Sequence, residues 1–80
     1  MLNSDELRFF CVLASHSSLA AAARSLHVTA PSVTQRLQSL EDKLKIKLID
    51  RSKRQAILTD EGVHLFEKAK GIVADIDELH

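Results

Sequence analysis

The apolar positions of this chain fall into helical spacing almost from the first residue. Leu7, Phe10, Cys11 and Ala14 recur at i, i+3, i+4 and i+7, the stripe of a helix with one buried face. Asn3 and Glu6 have the spacing of a capping box, so this helix is expected to begin after Asn3 or Ser4. The polar run SHSS at 15–18 ends it, and Ser18 is a good N-cap for a second helix. Leu19, Ala22, Ala23 and Leu26 make that helix's inner face. Its alanines are small enough to let another helix approach closely, although alanine is also simply the best helix former. His27 and Val28 form a turn, with Val28 expected inside and His27 outside.

A third helix follows, with Thr29 as its N-cap and Pro31 in the first turn, where the missing N–H costs nothing. Val33, Leu37, Leu40 and Leu44 fall within a narrow arc at about 100° per residue. The opposite arc carries Pro31, Gln35, Gln38 and Asp42, flanked by Ser32, Thr34 and Ser39. Beyond it, apolar Ile46, Leu48 and Ile49 and then AIL at 56–58 bracket the polar run RSKRQ at 51–55. Two short β-prone runs around a basic tip predict a hairpin of very short strands. Thr59 caps a last helix, with Asp60 and Glu61 favourable at its positive end. Along it Leu65, Ala69, Ile72, Ile76 and Leu79 alternate steps of four and three, a coiled-coil seam. Val63, Phe66 and Val73 form a second stripe. One stripe can pack on the body; the other is expected to meet a second copy.

Composition bounds this picture. The chain has 80 residues, 2 glycines, 1 proline and 3 phenylalanines, which fits one small, mostly helical domain. A single cysteine, Cys11, permits no intrachain disulfide and suits a reducing compartment. No signal peptide and no run of membrane-spanning length is evident, so a cytoplasmic protein with no membrane partner is expected. The net charge is zero but unevenly spread. Lys43, Lys45, Lys47, Arg51, Lys53 and Arg54 face one acid, Asp50, within 43–54, whereas 55–80 is predominantly acidic. Phosphates at short range respond to such a local patch, not to the total. A solvated charged surface would have the same composition.

An Ala-rich helix, a short turn and a second amphipathic helix have the shape of a helix-turn-helix. Amides can bond adenine bidentately, and hydroxyls suit bases or phosphates, so the neutral polar face of the third helix is fit to read a groove. Any surface helix has a polar face; the pairing with the helix before it favours the DNA reading. No catalytic set competes: His16, His27, His64 and His80 are scattered without metal-ligand spacing, and Cys11 has no evident base beside it. No enzyme activity and no cofactor are expected. A winged helix used only for protein contacts remains the rival function, distinguished by binding insensitive to salt.

The assembled residues resemble the DNA-binding domain of LysR-type transcriptional regulators. The likeness runs through LRFFCV at 7–12, SLAAAARSLHVT at 18–29 and APSVTQRLQSLE at 30–41, then Ile49, Arg51, Arg54 and LTDEG at 58–62. It is closer than the likeness to a MarR-like winged helix, because of the final seam and the LTDEG junction. It implies a mainly α winged helix-turn-helix over 1–58, with a three-helix core and a two-stranded wing at 48–58. A long linker and dimerisation helix over 59–80 would follow, built around Leu65, Ala69, Ile72, Ile76 and Leu79. Full-length members add an effector-binding domain that takes a small-molecule co-inducer. The seam is unfinished at His80, so this chain is expected to be part of something longer.

Carried over residue by residue, the family's groove-reading positions fall on Ala30, Pro31, Ser32, Thr34 and Gln35, with Gln38 one turn later. Ser18, Thr29, Arg36, Lys43, Lys47, Arg51, Lys53 and Arg54 are expected on phosphates or in the wing. The partner implied is double-stranded DNA, bound by a homodimer at an interrupted palindrome. Four departures stand out: Ala30 replaces a common glutamine, Gln35-Arg36 a frequent Arg-Gln order, Lys45 the usual glycine before the wing, and Ile49 a common phenylalanine. Arg36, nearer the apolar edge, is expected on a phosphate or in an internal pair.

Overall fold

In the computed structural model, which describes residues 2–52, 55 and 57–79, four helices and a minimal hairpin follow one another. They are α1 (Ser4–Ala14), α2 (Leu19–Leu26), α3 (Ala30–Leu44), β1 (Ile49–Asp50), β2 (Ile57–Leu58) and α4 (Asp60–Glu78). This is the mainly α, winged helix-turn-helix architecture expected from the pattern.

Each helix starts where a side chain can satisfy its orphan amides. The Glu6 amide donates to the Asn3 carboxamide at 2.8 Å and the Asn3 amide to the Glu6 carboxylate at 2.9 Å, closing the capping box. Ser18 accepts from the Ala21 amide, Thr29 from Ser32, and Thr59 from Gly62. The ends of α2 and α3 share another device. His27 and Lys45 adopt left-handed backbone, with φ of 59° and 60°, and the next amide reaches back five residues, Val28 to Ala23 and Ile46 to Glu41. These are Schellman caps held without glycine.

The core joins Phe9, Phe10 and Leu13 of α1, Ala22 and Ala23 of α2, Val33, Leu37 and Leu40 of α3, and Leu48 and Ile49 at the foot of the hairpin. The inner faces of α2 and α3 follow the spacing, with Ala22, Ala23, Val33, Leu37 and Leu40 buried and Leu19, Leu26 and Leu44 half-buried at their ends. That of α1 does not. Phe9, Phe10 and Leu13 are buried, whereas Leu7, Cys11 and Ala14 are half-buried. From Phe9 to Ala14 every residue is apolar, so periodicity cannot choose a face, and α1 packs against both α2 and α4. Val28 is a second correction: it is exposed, because the left-handed His27 leaves it at the rim of the α2 cap.

The hairpin pairs antiparallel, Ile49 with Leu58 and Asp50 with Ile57. Its return leg passes directly into α4. The Thr59 amide donates to the Leu48 carbonyl at 3.0 Å, and the Thr59 hydroxyl donates to the Lys47 carbonyl at 2.6 Å. Gly62 sits on the same backbone, and a Cβ there would collide with the Leu48 carbonyl oxygen. That contact accounts for the glycine of LTDEG.

From this anchor α4 runs along α1. Leu65 and Phe66 pack against the core, and Arg8 pairs with Asp77 at 2.7 Å. Ala69, expected in the dimer seam, is 0% exposed within its own chain, so no second helix can touch it there. Leu65 and Ile76 are half-buried, whereas Ile72 and Leu79 stay outside, 46% and 85% exposed. The seam is therefore split: its middle faces α1 and its outer edge faces solvent.

Candidate nucleic-acid interface

The N-terminal half of α3 supplies the exposed face. Val33, Leu37 and Leu40 turn into the core and leave Ala30, Pro31, Gln35 and Gln38 exposed on the other side. Ser32 and Thr34 are half-buried at its edges. Thr29 is exposed beside them, its hydroxyl oxygen accepting from the Ser32 amide at 3.3 Å. The close approach of α2 that fixes this pose comes from Ala22 and Ala23, both buried. Ser18, at the start of α2, is half-buried and caps its helix through Ala21.

The cations expected on phosphates have more varied positions than their charges suggest. Lys47 is open, its side chain 74% exposed and its ammonium 3.9 Å from Glu41. Lys43 is exposed but pairs with Glu6 at 2.9 Å, tying α3 to the start of α1. That pair and the Asn3 backbone bond, the latter the larger effect, hold the Glu6 carboxyl below its usual range. The Arg36 guanidinium lies over the Phe9 ring at 4.1 Å, an internal cation–π contact that fixes its stem while leaving the residue exposed. Lys53 and Arg54, placed by sequence at the wing tip, lie outside the described residues.

Arg51 carries an internal partner that sequence reasoning missed. Its guanidinium donates to the Glu41 carboxylate at 2.6 Å. Glu41 is buried, and its other oxygen accepts from the amides of Leu48 at 2.7 Å and Ile49 at 3.4 Å. The last turn of α3 is thereby joined to the foot of the wing. The only signal in the sequence is an acid beside Leu40 at the edge of the apolar arc. Gln38, Lys47 and Arg51 line one open cleft between α3 and the wing, together with Ile49, Leu58, Thr59 and the acids Asp50, Asp60 and Glu61. Gln38 of the polar face of α3 thus shares a cleft with both cations and carboxylates at the base of the hairpin.

No group of metal-ligating side chains occurs among the described residues, and no helix there is long and apolar enough to cross a membrane. Burial pushes the Cys11 thiol up, which keeps it protonated at neutral pH.

A groove-sized helix with a neutral polar face, backed by a second helix and flanked by a two-stranded hairpin, defines a winged helix-turn-helix of the DNA-binding kind. Residues 4–70 match the family model described as the bacterial regulatory helix-turn-helix protein, lysR family, and the chain belongs to that family. It is 36% identical over 74 residues to a probable RuBisCO transcriptional regulator of Guillardia theta, covering 92% of this chain and 24% of that protein. It is 31% identical over 78 residues to the hydrogen peroxide-inducible genes activator of Pectobacterium carotovorum subsp. carotovorum, covering 98% and 26%. The chain thus spans about a quarter of the length of these curated relatives. Among solved structures, a BenM DNA-binding domain in complex with catB site 1 DNA superposes with a TM-score of 0.91 at 27% identity, covering 98% of this chain and 84% of that one. The DNA-binding domain of CbnR in its DNA complex superposes at 0.86 with 34% identity, covering 96% and 88%.

Proposed function

We propose that this domain binds double-stranded DNA sequence-specifically as a homodimer at an interrupted palindromic operator, and so serves a transcription regulator. The observation that carries this reading is the exposed, uncharged face of Ala30, Pro31, Gln35 and Gln38, whose Gln38 shares a cleft with Lys47 and Arg51, in a fold shared with domains solved on DNA. The N-terminal half of α3 enters the major groove. Gln35 and Gln38 read base edges through their amides, Ser32 and Thr34 offer hydroxyls at the edges, and Ala30 touches a thymine methyl. Ser18 and Thr29, at helix N-termini, suit phosphates, as do Lys43, Lys47, Arg36 and Arg51. The wing, with Lys53 and Arg54 at its tip by sequence, follows the backbone into the adjacent minor groove.

A second copy would pack along α4 through Ile72 and Leu79, with Leu65 and Ile76 at the margin. The exposure of Ile72 and Leu79 on a helix otherwise docked on its own domain supports that arrangement. Residues 1–58 then serve contact and 59–80 assembly. A small-molecule co-inducer, by the family resemblance, would act through a further domain of a longer protein.

The test is a substitution at Gln35 measured against a panel of single-base variants of the bound duplex. Gln35→Ala is expected to relax preference at one base pair, by about 1–3 kcal/mol for a bidentate contact. Unchanged specificity would remove Gln35 from the reading set. Lys47→Ala should weaken all sequences about equally and lower the salt slope by about 1.

A further inference from the structure

Glu41 is a carboxylate buried beneath the exposed polar patch. One oxygen accepts from the Arg51 guanidinium at 2.6 Å and lies 3.9 Å from the Lys47 ammonium, and the other accepts from the Leu48 amide at 2.7 Å and the Ile49 amide at 3.4 Å. Its backbone carbonyl accepts from the Ile46 amide as well. A single residue at the end of α3 therefore holds the chain from 46 to 51. The Arg51 side chain is 31% exposed, so its guanidinium is held on one edge and open on another. That open part borders the cleft shared with Gln38 and Lys47, which Asp50, Asp60 and Glu61 also line.

Resting on the DNA-binding reading above, we propose that Glu41 is a positioning residue for the wing: it fixes one edge of the Arg51 guanidinium so that the other edge meets the DNA backbone. A planar guanidinium with five N–H donors can bond a buried carboxylate and a phosphate together. An ammonium is a point charge on a flexible stem and cannot span both in the same geometry. The bridge also explains how a carboxylate is kept under a surface meant for phosphates. Its charge is matched internally, and the wing is preset before contact.

The test uses a duplex enriched from a random pool by the native domain, with affinity read well below each variant's melting temperature. Glu41→Gln and Arg51→Met should each weaken binding by about tenfold, and the double variant should be no weaker than either alone. Arg51→Lys keeps the charge but is expected to bind nearly as poorly as Arg51→Met. Hydrogen exchange should show the Leu48 and Ile49 amides losing protection in Glu41→Gln while those of α2 keep theirs. Additive losses, or Arg51→Lys binding like the native domain, would overturn the proposal, and the lysine variant decides it even where Glu41→Gln does not fold. Failure of the native domain to enrich any duplex would instead defeat the DNA-binding reading, while the exchange result would still report on the grip of Glu41.

Discussion

Two residues of opposite character set the local geometry, and each yields a prediction. Lys45 occupies a left-handed C-cap that a glycine would adopt without steric cost. Lys45→Gly is expected to raise stability by about 0.5–1 kcal/mol, read as a shift in denaturant midpoint. Gly62 is the converse case. Gly62→Ala would drive a methyl into the Leu48 carbonyl and should cost about 1–3 kcal/mol, with near-native helix content in the surviving fold. Glu6 supplies a pH signature. Its carboxyl titrates below the ordinary value of 4.5, so what it contributes is present above that value and is lost as pH falls through the depressed one. The stability difference between the native domain and Glu6→Gln should therefore shrink as pH drops below 4.5. A difference that widens in acid would contradict the role given to Lys43 and Asn3.

The elements were legible where local chemistry and tertiary packing agree. Caps at Asn3, Ser18, Thr29 and Thr59 are visible as residue types and lie where the helices begin. The inner faces of α2 and α3 follow from spacing because each has one apolar arc and one polar arc. Where a helix is contacted from two sides, spacing loses its power. The run from Phe9 to Ala14 is apolar throughout, and only tertiary packing decides that Phe9, Phe10 and Leu13 join the core with α2 and α3 while the Arg8 side turns to α4. The same ambiguity runs through α4, whose seam reads as one stripe but divides into buried Ala69 and exposed Ile72 and Leu79. Glu41 was illegible for a different reason: its worth lies in contacts with Leu48, Ile49 and Arg51, and no local rule marks an acid for burial. The candidate reading site, a neutral polar arc on a capped helix, was legible as a face; the cleft that Gln38 shares with Lys47 and Arg51 was not. The exposed edge of α4 carries its own prediction. Ile72→Asp should shift the domain toward monomer in sedimentation without lowering its melting temperature as a core change would. A native domain that sediments as a monomer at high concentration would remove α4 as the assembly element.

At the scale of the molecule, the cations are shared between α3 and the segment that leads into the wing. α3 presents amides and hydroxyls together with Arg36 and Lys43, both held against α1, while beyond it Lys47 stands open and Arg51 is braced from within. Zero net charge is compatible with such local cations: the predominantly acidic stretch 55–80 lies largely in α4, with only its first turn, Asp60 and Glu61, in the cleft beside Lys47 and Arg51. Affinity should therefore fall steeply with salt while sequence preference persists, since phosphate contacts carry the salt dependence and base contacts the discrimination. The most direct test is selection of preferred duplexes from a random pool at two salt concentrations. A two-fold symmetric site enriched at both, with weaker overall binding at higher salt, is the expected result. Recovery of no common site, or of binding indifferent to both sequence and salt, would contradict it.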